Sequence, residues 1–360
     1  MKTKELLNVV AQTMSGCKTN DEGHRNLLFK DGYIYAWSSA LSVSAKQPDG
    51  CDLNGIVDGA ALALFLTRLG RDEVEITGEE GRWHFVAGNA EADIATKKDD
   101  QLERSIAKRN DEELEWKALP KNFYECLAIC DIPNNMYVKA GVFVSGDLMV
   151  STDNKRVNRA TMKGTMDAAV LMAPYSVSEI LRLGVKFTEY AITDRWVNFR
   201  TTAEGTELLT FSCNRLGDET NYPYEKYVGL IDKAMEGTLV NGRFPDLGQA
   251  LVLAQCFDES VNESTAVLNN VISLKFDKSK LTIFSERGNN GSIGRYRETF
   301  KYPDDKPLAI ESPVTVRVSA PFLISALNHT KNFRLSYVGS RALLVLNGEF
   351  FDTVLQVIGG

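Results

Sequence analysis

Histidine is scarce in this chain, with three in 360 residues: His24, His84 and His329. A metal site built on several histidines is therefore not expected. The six cysteines, Cys17, Cys51, Cys126, Cys130, Cys213 and Cys256, form no CxxC pair and no zinc spacing. Cys126 and Cys130 sit four apart in "NFYECLAIC", on one face of a helix, and read as two small core residues. No apolar run approaches the roughly 18–20 residues that a membrane span needs, so no membrane partner is expected. The start, "MKTKELLNVV", has no signal-peptide hydrophobic region, and a cytoplasmic location is the expectation.

The common catalytic signatures are missing as well. There is no Gly-x-Ser-x-Gly, no His-Glu-x-x-His and no dinucleotide glycine fingerprint. "RGNNGSIG" at 287–294 lacks the Lys-Ser/Thr ending of a phosphate loop and opens no helix. In "STDNKR", Ser151, Asp153 and Lys155 are scattered across strand faces by alternation. No catalytic residue, metal ligand or cofactor is expected. A net charge of −7 argues against a surface that grips nucleic acid throughout, while leaving room for a basic patch.

What the chain does have is a recurring unit. Hydrophobic content of 44% with 25% charged residues suits a globular protein with a substantial core. Short amphipathic helices are expected at 4–14, 59–69, 121–130, 175–184, 247–257 and 320–330. In the fourth, Val177, Ile180 and Leu181 recur at helical spacing, Pro174 precedes, and Ser176 and Ser178 are candidate caps. Gly70 and Gly184 suit C-terminal stops. Strand-like runs follow each helix. The odd-numbered helices lead into strand, tight turn, strand, with turns at "KDG", "SGD" and "DKSK". Tyr33, Tyr35 and Trp37 alternate in the first of these. The six copies pair into three similar parts, at 1–117, 118–240 and 241–360. The charge-dense stretch 99–120 contains the first boundary, and 234–246 suits the second. The expected class is α+β, with helices on one face of antiparallel sheets.

On these residues the chain resembles the bacterial sliding clamp, the beta subunit of DNA polymerase III, in a diverged, phage-like form. "SGDLMVSTDNKRVNRAT" (145–161) resembles the strand and Thr-Asp-Gly-His-Arg-Leu turn of that family's second domain. "MAPYSVSEILRL" resembles the helix that follows it, and "NYPYEKYVGLI" (221–231) the linker into the third domain. "VRVSAPFLISALNHTKNFRLSYV" and "FFDTVLQVI" resemble the closing helix and last strands. Departures include Asn154-Lys155-Arg156-Val157 in place of Gly-His-Arg-Leu, and a chain end without the Met-Pro-Met-Arg-Leu type tail.

The resemblance implies three similar DNA-clamp domains forming a half-ring, two short helices to each. Two copies would close head to tail into a homodimeric ring around duplex DNA, as a polymerase processivity factor. The edge strand "EADIATKK" (91–98), with Ala92 and Ile94, takes the dimer-interface position. Peptides from a DNA polymerase or a clamp loader would dock in a cleft at Thr152, Asn154, Lys155, Arg156, Val157, Pro223, Tyr227, Val228, Leu355 and Val357. Lys4, Arg68, Lys121, Arg182, Lys186 and Lys331 would face the DNA. Basic and acidic residues on or beside the helices are balanced, and the fifth helix has no Lys or Arg. That balance keeps a second reading open, a clamp-like scaffold that binds replication proteins without encircling DNA.

Overall fold

The computed structural model describes residues 1–17, 25–79, 81–132, 141–153, 156–217, 221–240, 244, 246–256, 271–287, 294–302, 307–330, 332–338 and 341–356. In chain order the first part comprises α1 (Thr3–Thr13), β1 (Asn26–Lys30), β2 (Tyr33–Trp37), β3 (Leu41–Lys46), β4 (Gly55–Asp58), α2 (Gly59–Leu69), β5 (Glu75–Glu79), β6 (Arg82–Ala87) and β7 (Ala90–Ala95). Next come α3 (Asp100–Asn110), β8 (Lys117–Ala118), α4 (Phe123–Cys130), β9 (Gly141–Thr152), β10 (Arg156–Met172), α5 (Pro174–Leu183), β11 (Glu189–Ile192), β12 (Trp196–Ala203) and β13 (Thr206–Asn214). The last part holds α6 (Tyr224–Met235), β14 (Thr238–Val240), α7 (Leu247–Gln255), β15 (Val271–Phe276), β16 (Lys280–Arg287), β17 (Gly294–Lys301), β18 (Val314–Ser319), α8 (Ala320–Leu327), β19 (Phe333–Val338), β20 (Arg341–Asn347) and β21 (Phe351–Gln356).

All six expected helices form. Gly70 and Gly184 end α2 and α5 in the left-handed conformation, at φ +59° and +64°, which costs glycine no Cβ clash. Pro174 opens α5 as its first residue, where a missing N–H costs nothing. Ser176 and Ser178 are not caps but lie inside that helix, and Ala173 precedes it. "KDG" turns β1 into β2 with Asp31 and Gly32 both at positive φ (52° and 78°), the tight hairpin geometry that matches strand twist. "SGD" departs from expectation. It falls inside β9, where Gly146 takes φ +59°, an irregularity that a strand absorbs at a glycine. The stretches 99–120 and 221–231 are not plain connections either, since they fold into α3 with β8 and into α6.

The chain groups into two compact units, Met1–Tyr124 with Ala168–Glu219, and Glu125–Asp167 with Thr220–Gly360. The first holds an antiparallel sheet ordered β4-β1-β2-β3-β13-β12-β11-β8 and a smaller one, β5-β6-β7. The second holds β14-β19-β20-β21-β10-β9 and β17-β16-β15-β18.

Within the first unit, alternation on β1 separates two cores. Leu27 and Phe29 pack with Leu6 and Val10 of α1, Leu62 and Leu66 of α2, and Trp83 and Phe85. Leu28 faces the other way, onto Ile56 and the buried Leu102 and Ile106 of α3. In the second unit, Leu251 of α7 and Leu323 of α8 share a core with Phe276 and Ile283.

Helix α3 spans a seam. Asp99 accepts from Leu102 N at its start and from Asn26 Nδ2 (2.9 Å) beside β1. At its far end Arg109, with its side chain nine-tenths buried, donates to Asn198 Oδ1 on β12 and to Ser212 Oγ on β13 (3.1 Å). It also pairs with Glu112 (2.7 Å) and lies 5.3 Å from the Trp196 ring. Burial pulls the guanidinium pKa down, against the pull of Glu112. Arg109→Met leaves Asn198 and Ser212 without their donor. The expected loss is about 1–3 kcal/mol, read as a lower urea midpoint at unchanged slope, with faster amide exchange along β12 and β13.

Candidate functional site

The second unit builds the surface that the sequence marked. β10 pairs with β21 in the register Arg156↔Leu355, Val157↔Val354 and Asn158↔Thr353. Alternation then divides these residues between two faces. Val157 and Val354 lie under α6, in a cluster with Ile231, Ala234, Leu343 and Val345. Tyr227, Leu230 and Met235 of α6 are half-buried along its border, and Val228 and Pro223 are half-buried as well. Leu355 faces the opposite way, into the core beneath α7 and α8. The Arg156 guanidinium is on that side too, 4.6 Å from the Phe322 ring of α8.

The start of α6 is held by stacked rings. Phe143 of β9 stacks on Tyr222 and Tyr224, with centroids 5.3 and 4.7 Å apart, and Tyr227 meets Tyr222 edge-on at 5.7 Å. Burial pushes the Tyr222 phenol well above its usual range. Farther along, Arg159 donates to Asp352 of β21 (2.7 Å) and to Asp232 of α6 (2.5 Å), tying helix to sheet beside Val157.

Thr152 and Asp153 shape the turn. Thr152 Oγ1 donates to the Arg156 carbonyl (2.9 Å). Asp153 accepts from the Arg156 amide (2.8 Å) and from its Nε (3.0 Å), and Arg156 Nη2 donates to the Asp131 carbonyl (3.0 Å). Ser151 Oγ accepts from Asn158, so its hydroxyl belongs to a buried network rather than to a nucleophile's surroundings.

The structure thus brings Val157, Tyr227, Val228 and Pro223 to the α6 side, and places Arg156 and Leu355 on the other. Asn154, Lys155, Val357 and Lys331 lie outside the described residues. Val354 and Leu230, not singled out in the sequence, join that same cluster. The signal for Val354 was present, because a residue next to Leu355 must point to the opposite face.

Of the residues expected to face DNA, Lys4, Arg68, Lys121, Arg182 and Lys186 are all exposed and all in the first unit. Arg182 is already engaged, with Glu179 at 2.7 Å and Ser15 Oγ as a second acceptor.

Each unit also carries an edge strand. Among the described residues β7 pairs only with β6, and β17 only with β16. On β7 the half-buried Ala92 and Ile94 pack toward the helix-side core while Glu91 and Asp93 are exposed. On β17 Tyr296 and Phe300 pack inward while Arg295, Arg297 and Lys301 are exposed. Helix α7 packs beside β17 and exposes Val252 and Leu253 (53% and 43%), and in the first unit Leu64 of α2 is 51% exposed.

No family model and no curated protein matches this chain. Solved structures do match along its whole length. The DNA polymerase III beta chain of Streptococcus pneumoniae superposes with a TM-score of 0.75 at 13% identity, covering 100% of this chain and 98% of that one. The DNA polymerase III beta subunit of Thermotoga maritima gives 0.74 at 15% identity, covering 100% and 98%. The Helicobacter pylori beta clamp bound to a DNA ligase peptide gives 0.69 at 15%, covering 100% and 99%.

Asp153→Asn tests the turn by leaving the buried Arg156 without its counter-charge. The expected cost is about 3–5 kcal/mol, measured by urea unfolding. A loss below about 1 kcal/mol would mean that the pair behaves like an exposed one. With short helices recurring on antiparallel sheets along the chain, and a full-length superposition on these proteins, this chain has the fold of the DNA polymerase III beta clamps.

Proposed function

We propose that this protein is a sliding clamp: two copies close head to tail into a ring around duplex DNA and tether a polymerase through a peptide site beside α6. The observation that carries the reading is the pair of complementary open edges on a full-length clamp fold. Pairing β7 of one chain with β17 of another satisfies backbone groups that would otherwise be open. It sets Ala92 and Ile94 beside Tyr296 and Phe300 on the inner face, and Glu91 and Asp93 beside Arg295 and Arg297 on the outer face. Val252 and Leu253 of α7, which packs beside β17, then gain cover. The three parts 1–117, 118–240 and 241–360 are the domains of this reading, and no catalytic group, metal or cofactor has a role in it.

Inside such a ring DNA is held by topology. Each tight phosphate contact would add affinity and salt dependence and so retard sliding. Lys4, Arg68, Lys121 and Lys186 supply modest positive charge, and Glu179 tempers Arg182. The peptide site is the apolar border formed by Tyr227, Val228, Leu230 and Val157. There an extended segment with aromatic and aliphatic side chains gains burial against half-covered neighbours.

Sedimentation should show a species of two chains. Val252→Asp with Leu253→Asp should weaken that dimer at least tenfold, since each lost apolar burial is worth about 1.5–3 kcal/mol. Arg295→Glu with Arg297→Glu should dissociate it too, and adding Glu91→Lys with Asp93→Lys should restore it. A wild-type monomer at high concentration would overturn the ring.

The balanced charge of the helices favours a second reading, a scaffold that binds replication proteins without enclosing DNA. Retention on nicked circular DNA separates the two. A sliding ring stays on circles, escapes once the DNA is linearised, and is retained less well as Lys121→Glu with Lys186→Glu. A scaffold treats circle and line alike.

A further inference from the structure

The four-stranded sheet of the second unit, β17-β16-β15-β18, turns one face to α7 and α8, where Leu274, Ile283 and Val316 are buried. Alternation sends the residues between them the other way. On that second face Lys275 of β15, Lys280 of β16, Arg295, Arg297 and Lys301 of β17, and Arg317 of β18 are all exposed. Register gathers them closely. Lys280 stands opposite Lys301 and Phe284 opposite Arg297, and Ser273 lies between Phe284 and Arg317. Four strands span about 14 Å across, and the run from Arg295 to Lys301 about 20 Å along.

Carboxylates are placed elsewhere. Glu298 alternates to the inner side with Tyr296, whose hydroxyl donates to it. Glu286 stands at one corner of the sheet, opposite Arg295 in the register. No ion pair among the described residues holds Lys275, Lys280, Arg295, Arg297 or Lys301. The chain as a whole carries −7, so this face runs against the charge of the molecule. Like charges gathered in this way repel one another, and an incoming polyanion relieves the repulsion. Lys4, Arg68, Lys121 and Lys186, assigned above to the enclosed duplex, all belong to the first unit. A contact on this face is therefore additional to the clamp reading and does not depend on it.

The chemistry narrows the polyanion. Phe284 is half-buried and is the one aromatic side chain described on this face, so an acidic peptide finds few of the apolar anchors that fix a protein partner. A rigid duplex meets a twisted sheet along a line and leaves cations to either side unused. A flexible single strand lays its phosphates over a patch that extends in two dimensions. The Arg297 and Arg317 guanidinium forks suit phosphate oxygens, and the exposed Thr299 and Thr315 add hydroxyl donors. A base has Phe284 to stack on, with Arg297 next to it. We infer that this sheet face binds single-stranded nucleic acid, with phosphates on Lys275, Lys280, Arg297, Lys301 and Arg317 and a base against Phe284.

The test is fluorescence anisotropy of a labelled 20-nucleotide poly-dT with the full chain in 50 mM salt. A short strand with free ends cannot trap a ring, so the result stands apart from that of the ring itself. Binding should saturate and weaken with salt, with a log–log slope of about −3 for four phosphates at about 0.7 each. Lys275→Glu with Arg317→Glu, away from the β17 edge, should weaken it at least tenfold, and so should Lys280→Glu with Lys301→Glu. Lys30→Glu with Lys108→Glu makes the same change of net charge in the first unit and should leave it unaltered. Phe284→Ala should weaken it at least about fivefold at an unchanged salt slope. Each variant is confirmed folded by an unchanged melting temperature. The inference is overturned if poly-dT shows no saturable binding, if neither charge reversal on the sheet weakens it or the one in the first unit weakens it as much, if Phe284→Ala is without effect, or if a 20-base-pair duplex or polyglutamate binds as tightly.

Discussion

The structure depends on completing each large sheet with strands from distant sequence. β3 of the first part pairs with β13 over Leu41–Ala45 and Leu209–Cys213. β10 of the middle part pairs with β21 near the chain end over Arg156–Ala160 and Phe351–Leu355. Each seam joins two runs of strands into one continuous sheet. The middle of the chain is consumed by these seams, with strands on both sides of Asp167 engaged in different sheets. Among the described residues the two smaller sheets receive no such completion, and each keeps an open edge, β7 or β17. Long edges of this kind invite pairing, and natural proteins leave them bare only where something covers them.

Much of this was legible in the sequence because helix and strand periods are carried by apolar side chains. The six helices each show an apolar stripe, and glycines such as Gly70 and Gly184 mark their ends. α3 was hidden for a physical reason: it buries little beyond Leu102 and Ile106, so charge dominates its composition. Its placement comes from Asp99 and Arg109, whose partners lie far away in sequence. α6 was hidden by Pro223, which reads as a linker residue but sits just before the first turn, where proline is tolerated. Its apolar face, with Ile231 and Ala234 buried, matches the sheet beneath it.

The candidate site shows the same division. Val157 and Tyr227 share one cluster because strand turn and helix start fix them locally. Leu355 falls in the opposite core, since which face a strand residue occupies depends on register, and a shift of one residue exchanges the faces. Register here is set by β21 pairing with β10 across nearly two hundred residues, which no local pattern reveals. The open edges tell a related story: Ala92 and Ile94 were singled out on β7, but β17, with Arg295 and Arg297 exposed, is recognisable as an edge among the described residues only once the sheet order is known.

Arg109 has a counterpart in the second unit, and the comparison explains why both are charged. Arg156 and Arg109 are each largely buried, each paired with a carboxylate three residues away, and each set near an aromatic ring. A hydrophobic side chain in either place would often stabilise as much or more. Neither could then donate to groups fixed in direction: Asn198 and Ser212 for Arg109, the Asp131 carbonyl for Arg156. The planar guanidinium fork reaches several acceptors at set angles, so it selects one arrangement of helix against strand where an apolar contact would allow several.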